Sequence, residues 1–397
     1  MNEKKVITKK DWVSNFTLIG KPKISEEYSF KLDERSEKSK WVYNSMNLGV
    51  DCGESSGCVY CELMGGYSEE NENRIFAHGK KDDGSDDFDK QIVVDWNDRF
   101  DEDVLEEIGE LSFITVGLEK TSEGKTFYKK FLSAYDAIAY VKEHISEDMV
   151  VNVKGNLKYS SYNDNTQVRK NITSIVLSKV DDASKYAARF IQTILIDKDS
   201  ASLKNIDKDK SVMYIDARVL DFLKEYNGVK LVNAKGEEKG GQFPYKKQFE
   251  FELNLENEAQ CKAIYEKLFK VKKDVNQITF EGEFIEGGAI VTATLDDVPD
   301  DIKSLIGVVY TEEEVLARCT ANGGKERRMV LKKPKINIVG EDKKPVIQKF
   351  DGRFKEEDLV LDYLFDNDSV GSGDDKPPFD TDEDSDSDNS MDWLNNL

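Results

Sequence analysis

The feature that most constrains the fold is a pair of long alternating segments around a short turn. Residues 149–179 read MVVNVKGNLKYSSYNDNTQVRKNITSIVLSK, with apolar and polar side chains alternating on both sides of Tyr162-Asn163-Asp164-Asn165. This alternation predicts two half-buried strands, and the Asn- and Asp-rich turn predicts a hairpin. Gly155 interrupts the first strand, where a lone glycine indicates a bulge or a sharp bend, as in a small barrel. We therefore expect a strongly bent sheet.

The order of the remaining segments suggests two similar units. In the first unit, strands are predicted at 41–50, 59–64, 74–77, 91–94 and 112–118, and a helix at 133–145 with Ser133 as its N-cap. In the second, strands are predicted at 187–196, 212–220, 248–253, 278–285 and 289–295, with a helix at 256–269. Helical segments at 300–306 and 312–322 and a basic strand at 326–339 close the body. We expect an N-terminal arm (1–40), a first domain (41–183), a second domain (184–340) and a linker with an acidic tail (341–397).

The charge of the chain is large and unevenly distributed. The 397 residues carry a net charge of −22. Residues 366–397 hold eleven acidic residues and one lysine, which gives this tail a charge of −10. Such a segment is too charged and too poor in apolar residues to fold alone, so a disordered tail is expected. The rest of the chain is also acidic, which argues against a uniformly basic nucleic-acid coat but leaves room for a local basic patch.

Composition also narrows the class of protein. No segment approaches the 18 or so uncharged apolar residues of a membrane helix, and no signal peptide is visible, so we expect a cytoplasmic protein with no membrane partner. Only two histidines are present, which disfavours most hydrolase chemistries. No activated nucleophile is recognisable, and we expect that the protein is not an enzyme.

The spacing of cysteine and histidine residues allows one metal site. Cys52, Cys58 and Cys61 form a C-x5-C-x2-C pattern, and His78 follows sixteen intervening residues later. These residues could form a Cys3His zinc site, although the spacing is not that of a common zinc motif. Cysteines on a strand also serve as small apolar residues. We expect no cofactor, with zinc at these four residues as the alternative.

The succession of five strands with one interposed helix, twice over, is typical of a pair of oligonucleotide-binding (OB) barrels. The run VVNVKGNLKYSSYNDNTQVRKNITSIVL resembles the hairpin of such barrels, and NSMNLGVDCG resembles an opening strand. With the acidic terminus ending in MDWLNNL, the chain resembles the single-stranded DNA-binding proteins of tailed bacteriophages. The resemblance implies a mainly β protein with some α (α+β), built from two OB-fold-like barrels and a disordered acidic C-terminal tail. It implies sequence-independent binding of single-stranded DNA in replication, recombination and repair, in the host cytoplasm.

Sequence-tolerant binding of a single strand needs exposed rings for base stacking and cations for the phosphates. The candidates for these roles are Trp41, Tyr43, Arg74, Phe76, Tyr128, Lys129, Lys130, Lys154, Lys158, Tyr159, Tyr162, Arg169, Lys170, Arg218, Tyr245, Lys246 and Lys247. Arg189 and Phe190 form a further basic and aromatic pair. Alternation places Lys154 and Lys158 on one strand face and Tyr159 on the other, so burial is the alternative for Tyr159.

The tail ends in an apolar cluster behind most of its acidic residues. Its candidate partner-binding residues are Asp384, Asp386, Asp388, Met391, Trp393, Leu394 and Leu397. The resemblance implies that such a tail competes with DNA for the basic groove and recruits replication or recombination proteins. A solubility tail is the alternative for this segment. For the whole chain, the alternative is an acidic protein-interaction or DNA-mimic module that binds no nucleic acid, and a metal-dependent nuclease ranks third.

Overall fold

The computed structural model describes residues 5–37, 39–162, 165–286, 298, 300–307, 310–312, 315, 327–339 and 343–364. The fold is mainly β with a few short helices. The strands are β1 (Ser14–Lys23), β2 (Phe30–Arg35), β3 (Trp41–Asp51), β4 (Cys58–Ser68), β5 (Arg74–Lys80), β6 (Asp86–Asp95), β7 (Ile114–Lys120), β8 (Thr126–Phe131), β9 (Val151–Tyr162), β10 (Asn165–Leu177), β11 (Ala187–Ile196), β12 (Ile206–Asp207), β13 (Val212–Leu223), β14 (Glu225–Tyr226), β15 (Val229–Lys230), β16 (Gly241–Glu252), β17 (Val275–Glu286), β18 (Arg327–Pro334), β19 (Ile336–Val339), β20 (Lys344–Ile347) and β21 (Lys349–Phe354). The α-helices are α1 (Glu102–Glu107), α2 (Ala134–His144), α3 (Glu258–Ile264) and α4 (Asp300–Lys303).

Five strands close the first barrel. β1 pairs with β3 and β9, β3 pairs with β4, and β10 pairs with β9. The circle is completed by a parallel pairing of β4 with β10 at Glu62 and Asn171. α2 lies between β4 and β9 in the chain, and Ser133 caps it by accepting a hydrogen bond from the Tyr135 backbone N–H, as predicted. A closed five-stranded barrel with one helix between its third and fourth strands is the OB topology.

The second barrel repeats this topology. Its strands β11, β13, β16, β17 and β18 close through antiparallel pairs and one parallel pair, between β16 and β18. α3 lies between the third and fourth strands. The two OB-like barrels expected from the order of segments are confirmed.

The barrels are joined through their first strands. β1 and β11 pair antiparallel, with Phe16 opposite Phe190, so one continuous sheet runs through both barrels. In each barrel the fourth strand places a glycine opposite this phenylalanine: Gly155 faces Phe16, and Gly282 faces Phe190. Each glycine also lies at an irregular step in the pairing with the fifth strand. The two units therefore share a structural repeat that residue identity does not reveal.

Two segments differ from the domain organisation that we expected. The predicted arm contains β1, a full barrel strand, and β2, which pairs with β3. Residues 343–364, placed in the linker, form β20 and β21 and contribute Leu359, Leu361 and Leu364 to a small core shared with Ile7. Both segments are short and polar, and their apolar side chains are buried only by partners that are distant in sequence.

An insertion between β4 and α2 carries β5, β6, α1, β7 and β8. β7 and β8 extend the sheet of the first barrel beyond β10, whereas β5 and β6 form a separate hairpin. No helix in the described part of the chain is long and apolar enough to cross a membrane. The predicted strand 289–295, most of the predicted helix 312–322, and the tail residues Asp384, Asp386, Asp388, Met391, Trp393, Leu394 and Leu397 lie outside the described residues.

Candidate nucleic-acid interface

One row of outward-facing side chains crosses both barrels. Strand register aligns Lys130 of β8, Thr115 of β7, Ser174 of β10, Lys154 of β9, Thr17 of β1 and Arg189 of β11. Their chain neighbours Val116, Ile175, Val153, Leu18 and Ala188 are buried in the core. Because side chains alternate across a strand, the row itself points outward.

A second row runs beside the first. Asn171, Asn156 and Asn15 lie opposite one another on β10, β9 and β1. Lys158 and Arg169 form the next outward pair along the hairpin. We call these two rows, with Lys158, Arg169 and Tyr128, the spanning face.

The charge of the spanning face is concentrated where the barrels meet. Lys154 and Arg189 are exposed, and neither makes an ion pair with any residue that the structure describes. Lys130 lies 2.7 Å from a Glu110 carboxylate oxygen, Lys158 lies 3.7 Å from Asp221, and Arg169 lies 4.0 Å from Glu62. The junction therefore carries two cations, one on each side of β1, that make no ion pair with the described residues. Lys130 nearby is closely paired, and Lys158 and Arg169 are paired at longer distances.

The positive surface ends inside the second barrel. On β17, Glu283 faces Arg189 and Glu281 faces Ile191. These carboxylates lie 3.6 Å from Lys332 and 3.1 Å from Lys333, respectively. This part of the sheet is balanced in charge, so the first barrel and β11 carry most of the positive face.

Tyr128 supplies a flat ring on the same side of the sheet. A Cβ at Gly117 of β7 would lie 3.0 Å from the ring, so the missing side chain lets the tyrosine lie across the neighbouring strand. The Tyr128 side chain is still 55% exposed. An exposed ring supported from below by a sheet is suited to stacking on a base.

Other candidates lie away from the spanning face. Trp41 and Tyr43 are half-buried on the outer side of β3, opposite Ser68 and Gly66 of β4. Lys129 points to the inner side, with its ammonium 4.7 Å from the centre of the Tyr140 ring. The structure describes the backbone of Tyr162, which belongs to β9, but not its side chain.

The candidates of the second barrel do not form a comparable surface. Arg218 pairs with Asp197 at 3.0 Å, and the exposed Lys246 lies opposite it on β16. Burial, together with the nearby Lys170 ammonium, lowers the pKa of Lys247. A lysine that is easier to deprotonate is a poorer phosphate contact.

Three candidates are corrected by burial. The Tyr159 hydroxyl donates to Gln192 Oε1 at 2.8 Å, and burial raises the pKa of this tyrosine well above its usual value. Tyr245 is enclosed in the second barrel. Lys170 donates to Glu286 Oε1 at 2.5 Å and lies 4.8 Å from the centre of the Phe284 ring. The far end of the β9–β10 hairpin thus packs against the second barrel, so these side chains are not available to bases or phosphates.

Arg74 and Phe76 lie on the β5–β6 hairpin, outside the spanning face and among carboxylates. The Arg74 guanidinium lies 2.8 Å from Glu72 and 3.8 Å from Asp95. Phe76 is exposed on the same hairpin, which lies within residues 69–111, a segment with sixteen acidic and five basic residues. Phosphates would be repelled there.

Sequence reasoning missed Asn15 and Thr17. Both lie in the segment predicted to be an arm, and only the pairing of β1 with β9 and β11 brings them between Lys154 and Arg189. The alternation of apolar Phe16 and Leu18 with polar Asn15 and Thr17 was the available signal for a strand.

The four candidate zinc ligands do not converge. Cys52 and Cys61 are buried in the first barrel, and burial raises the pKa of both thiols far above the usual value. His78 uses both ring nitrogens, with Asp86 at 2.7 Å from Nε2 and Ser112 at 3.0 Å from Nδ1. Over the described ranges, no group of three or more His, Cys, Asp or Glu side chains could hold a metal ion.

Two barrels of OB topology that share one sheet define this chain as a tandem OB-fold protein. No protein-family model and no curated protein matches the sequence. Among solved structures, the chain is similar to a deletion mutant of the single-stranded DNA-binding protein from Thermus aquaticus, with 10% identity and a TM-score of 0.28. That alignment covers 69% of this chain and 87% of the other.

Proposed function

We propose that the protein binds single-stranded DNA without base-sequence preference along the spanning face. The observation that carries this proposal is the register row from Lys130 to Arg189, in which Lys154 and Arg189 at the barrel junction make no ion pair with the described residues. Neighbouring strands lie about 4.8 Å apart, so the row across six strands extends over roughly 24 Å, enough for several nucleotides.

Each component of the face has a distinct role in this mechanism. Lys154, Arg189, Lys158 and Arg169 pair with phosphates, which gives affinity that falls with salt. Tyr128 stacks on a base, and every base offers the required flat surface. Asn15 and Asn156 offer both hydrogen-bond donors and acceptors, so they contact the strand without requiring one particular base.

The proposed biological role is protection of single strands during DNA replication, recombination and repair in the cytoplasm of a phage-infected host. The role requires binding and no catalysis. The acidic residues of the tail would compete with phosphates for the spanning face, and its apolar tip would recruit replication or recombination proteins once DNA displaces it.

Fluorescence anisotropy tests the binding proposal. A labelled thirty-base single strand should bind the intact chain tightly at low salt and much more weakly at 0.3 M salt, and a duplex of the same sequence should bind less well at both. If neither the intact chain nor one lacking residues 366–397 binds the single strand, the proposal is wrong and the acidic protein-interaction module takes its place.

A further inference from the structure

Half of the net charge of the chain lies in one short segment, which meets the spanning face where Glu110 pairs with Lys130. Residues 69–111, between β4 and β7, contain sixteen acidic and five basic residues, a net charge of −11. We call this segment the acidic insertion. Its charge repels both DNA and a second copy of the same segment.

The acidic insertion has a small core of its own. Ala77, Val94 and Ile108 are buried there, with Phe113 just beyond the segment. Ala77 and Val94 lie on the inner face of the β5–β6 hairpin, which leaves the opposite face directed away from this core.

Large apolar side chains occupy that opposite face. Phe76 and Val93 lie directly across from each other on β5 and β6 and are 67% and 49% exposed. Phe88 and Leu111 nearby are 69% and 72% exposed. Isolated exposed apolar residues are ordinary, but four on one small unit mark an interaction surface.

Contacts around His78 and Asp86 connect Phe88 and the Leu111 backbone to the hairpin. The His78 ring lies 4.7 Å from the ring of Phe88, centre to centre. One oxygen of Asp86 bonds both the His78 ring and the Leu111 backbone N–H. Phe76 lies two residues from His78 on the same strand face. We call the side chains of Phe76, Phe88, Val93 and Leu111 the hairpin patch.

We propose that the hairpin patch docks a protein partner that presents apolar side chains flanked by lysine or arginine. The four apolar side chains would supply the buried centre of the interface, and the surrounding carboxylates would attract the basic rim of the partner. Charge complementarity selects this partner: an acidic protein, a nucleic acid or a second acidic insertion would be repelled. The hairpin patch adjoins the spanning face only through Leu111, whose neighbour Glu110 pairs with Lys130.

Peptide selection on the intact protein tests this proposal, because it does not require the partner to be known. A library of random displayed peptides is selected on the wild-type chain and depleted on the Phe76→Ser variant. The enriched peptides should carry apolar residues flanked by Lys or Arg. Labelled copies should bind Phe76→Ser at least about tenfold more weakly than the wild type, and Phe88→Ser should behave similarly.

Phe222→Ser is the matched control, because Phe222 is also an exposed phenylalanine but lies in the second barrel. It should bind the peptides as the wild type does, and all variants should have the melting temperature of the wild type. The proposal is overturned if no peptide distinguishes wild type from Phe76→Ser, if the enriched peptides are acidic or uncharged, or if Phe222→Ser loses binding equally.

Discussion

Individual tyrosines in this protein have opposite roles, and substitution separates them. Tyr128→Ala removes an exposed ring from the spanning face and should weaken single-strand binding by about 1–3 kcal/mol with little change in stability. Tyr159→Phe removes the buried hydroxyl that donates to Gln192, which should cost about 1 kcal/mol of folding free energy and leave DNA affinity unchanged. Urea unfolding and anisotropy titration of both variants provide the check. Loss of DNA affinity in Tyr159→Phe, or loss of stability without loss of DNA affinity in Tyr128→Ala, would contradict the placement of the two rings.

The cysteines make a second prediction at the residue scale. Since the thiolate is the reactive form and burial raises the pKa of Cys52 and Cys61, both should resist iodoacetamide at pH 8 in the folded chain. Mass spectrometry after labelling, with and without denaturant, measures this protection. A chelator should leave the labelling rate unchanged, and faster labelling after chelation would instead indicate a bound metal.

Strand alternation predicts most elements but not their partners. The hairpin 149–179 and the capped helix α2 follow from local patterns. The pairing of β1 with β9 and β11 depends on contacts more than 130 residues apart, and no local pattern encodes it. Alternation also puts Lys170 on the inner face of β10. It does not show that the second barrel covers Lys170, because that contact again joins distant parts of the chain. The sequence therefore predicted the cations and Tyr128 of the spanning face, but not that β1 brings Lys154 and Arg189 together.

Gly155 gives a prediction at the scale of elements. A Cβ at this position would lie 1.9 Å from the Asn171 carbonyl oxygen and 2.7 Å from the Phe16 ring. Gly155→Ala must push β9 away from β10 and β1, which should cost about 2 kcal/mol or more of folding free energy. Asn156→Ala, the adjacent outward position, should cost less than about 0.5 kcal/mol. Equal unfolding midpoints for the two variants in urea would contradict this account of barrel closure.

At the scale of the whole molecule, the tail and the body are expected to interact through charge. Deleting residues 366–397 removes a net charge of −10. If the tail competes with phosphates, the deletion should tighten single-strand binding by about tenfold at low salt, with the difference fading as salt screens the competition. Anisotropy titration of the intact and shortened chains at several salt concentrations measures this difference in affinity. Unchanged or weaker binding by the shortened chain would exclude competition by the tail.

The most direct test of the central claim is the salt dependence of a double variant at the barrel junction. For single strands, each phosphate contact contributes about 0.7 to the slope of log affinity against log salt. Lys154→Gln combined with Arg189→Gln should therefore reduce that slope by about 1.4 and weaken binding at every salt concentration. Lys262→Gln on α3 is the control, because it removes one charge from outside the spanning face. It should change the salt slope and the affinity less than the double variant does. An unchanged slope in the folded double variant would show that single-stranded DNA does not cross the junction between the barrels.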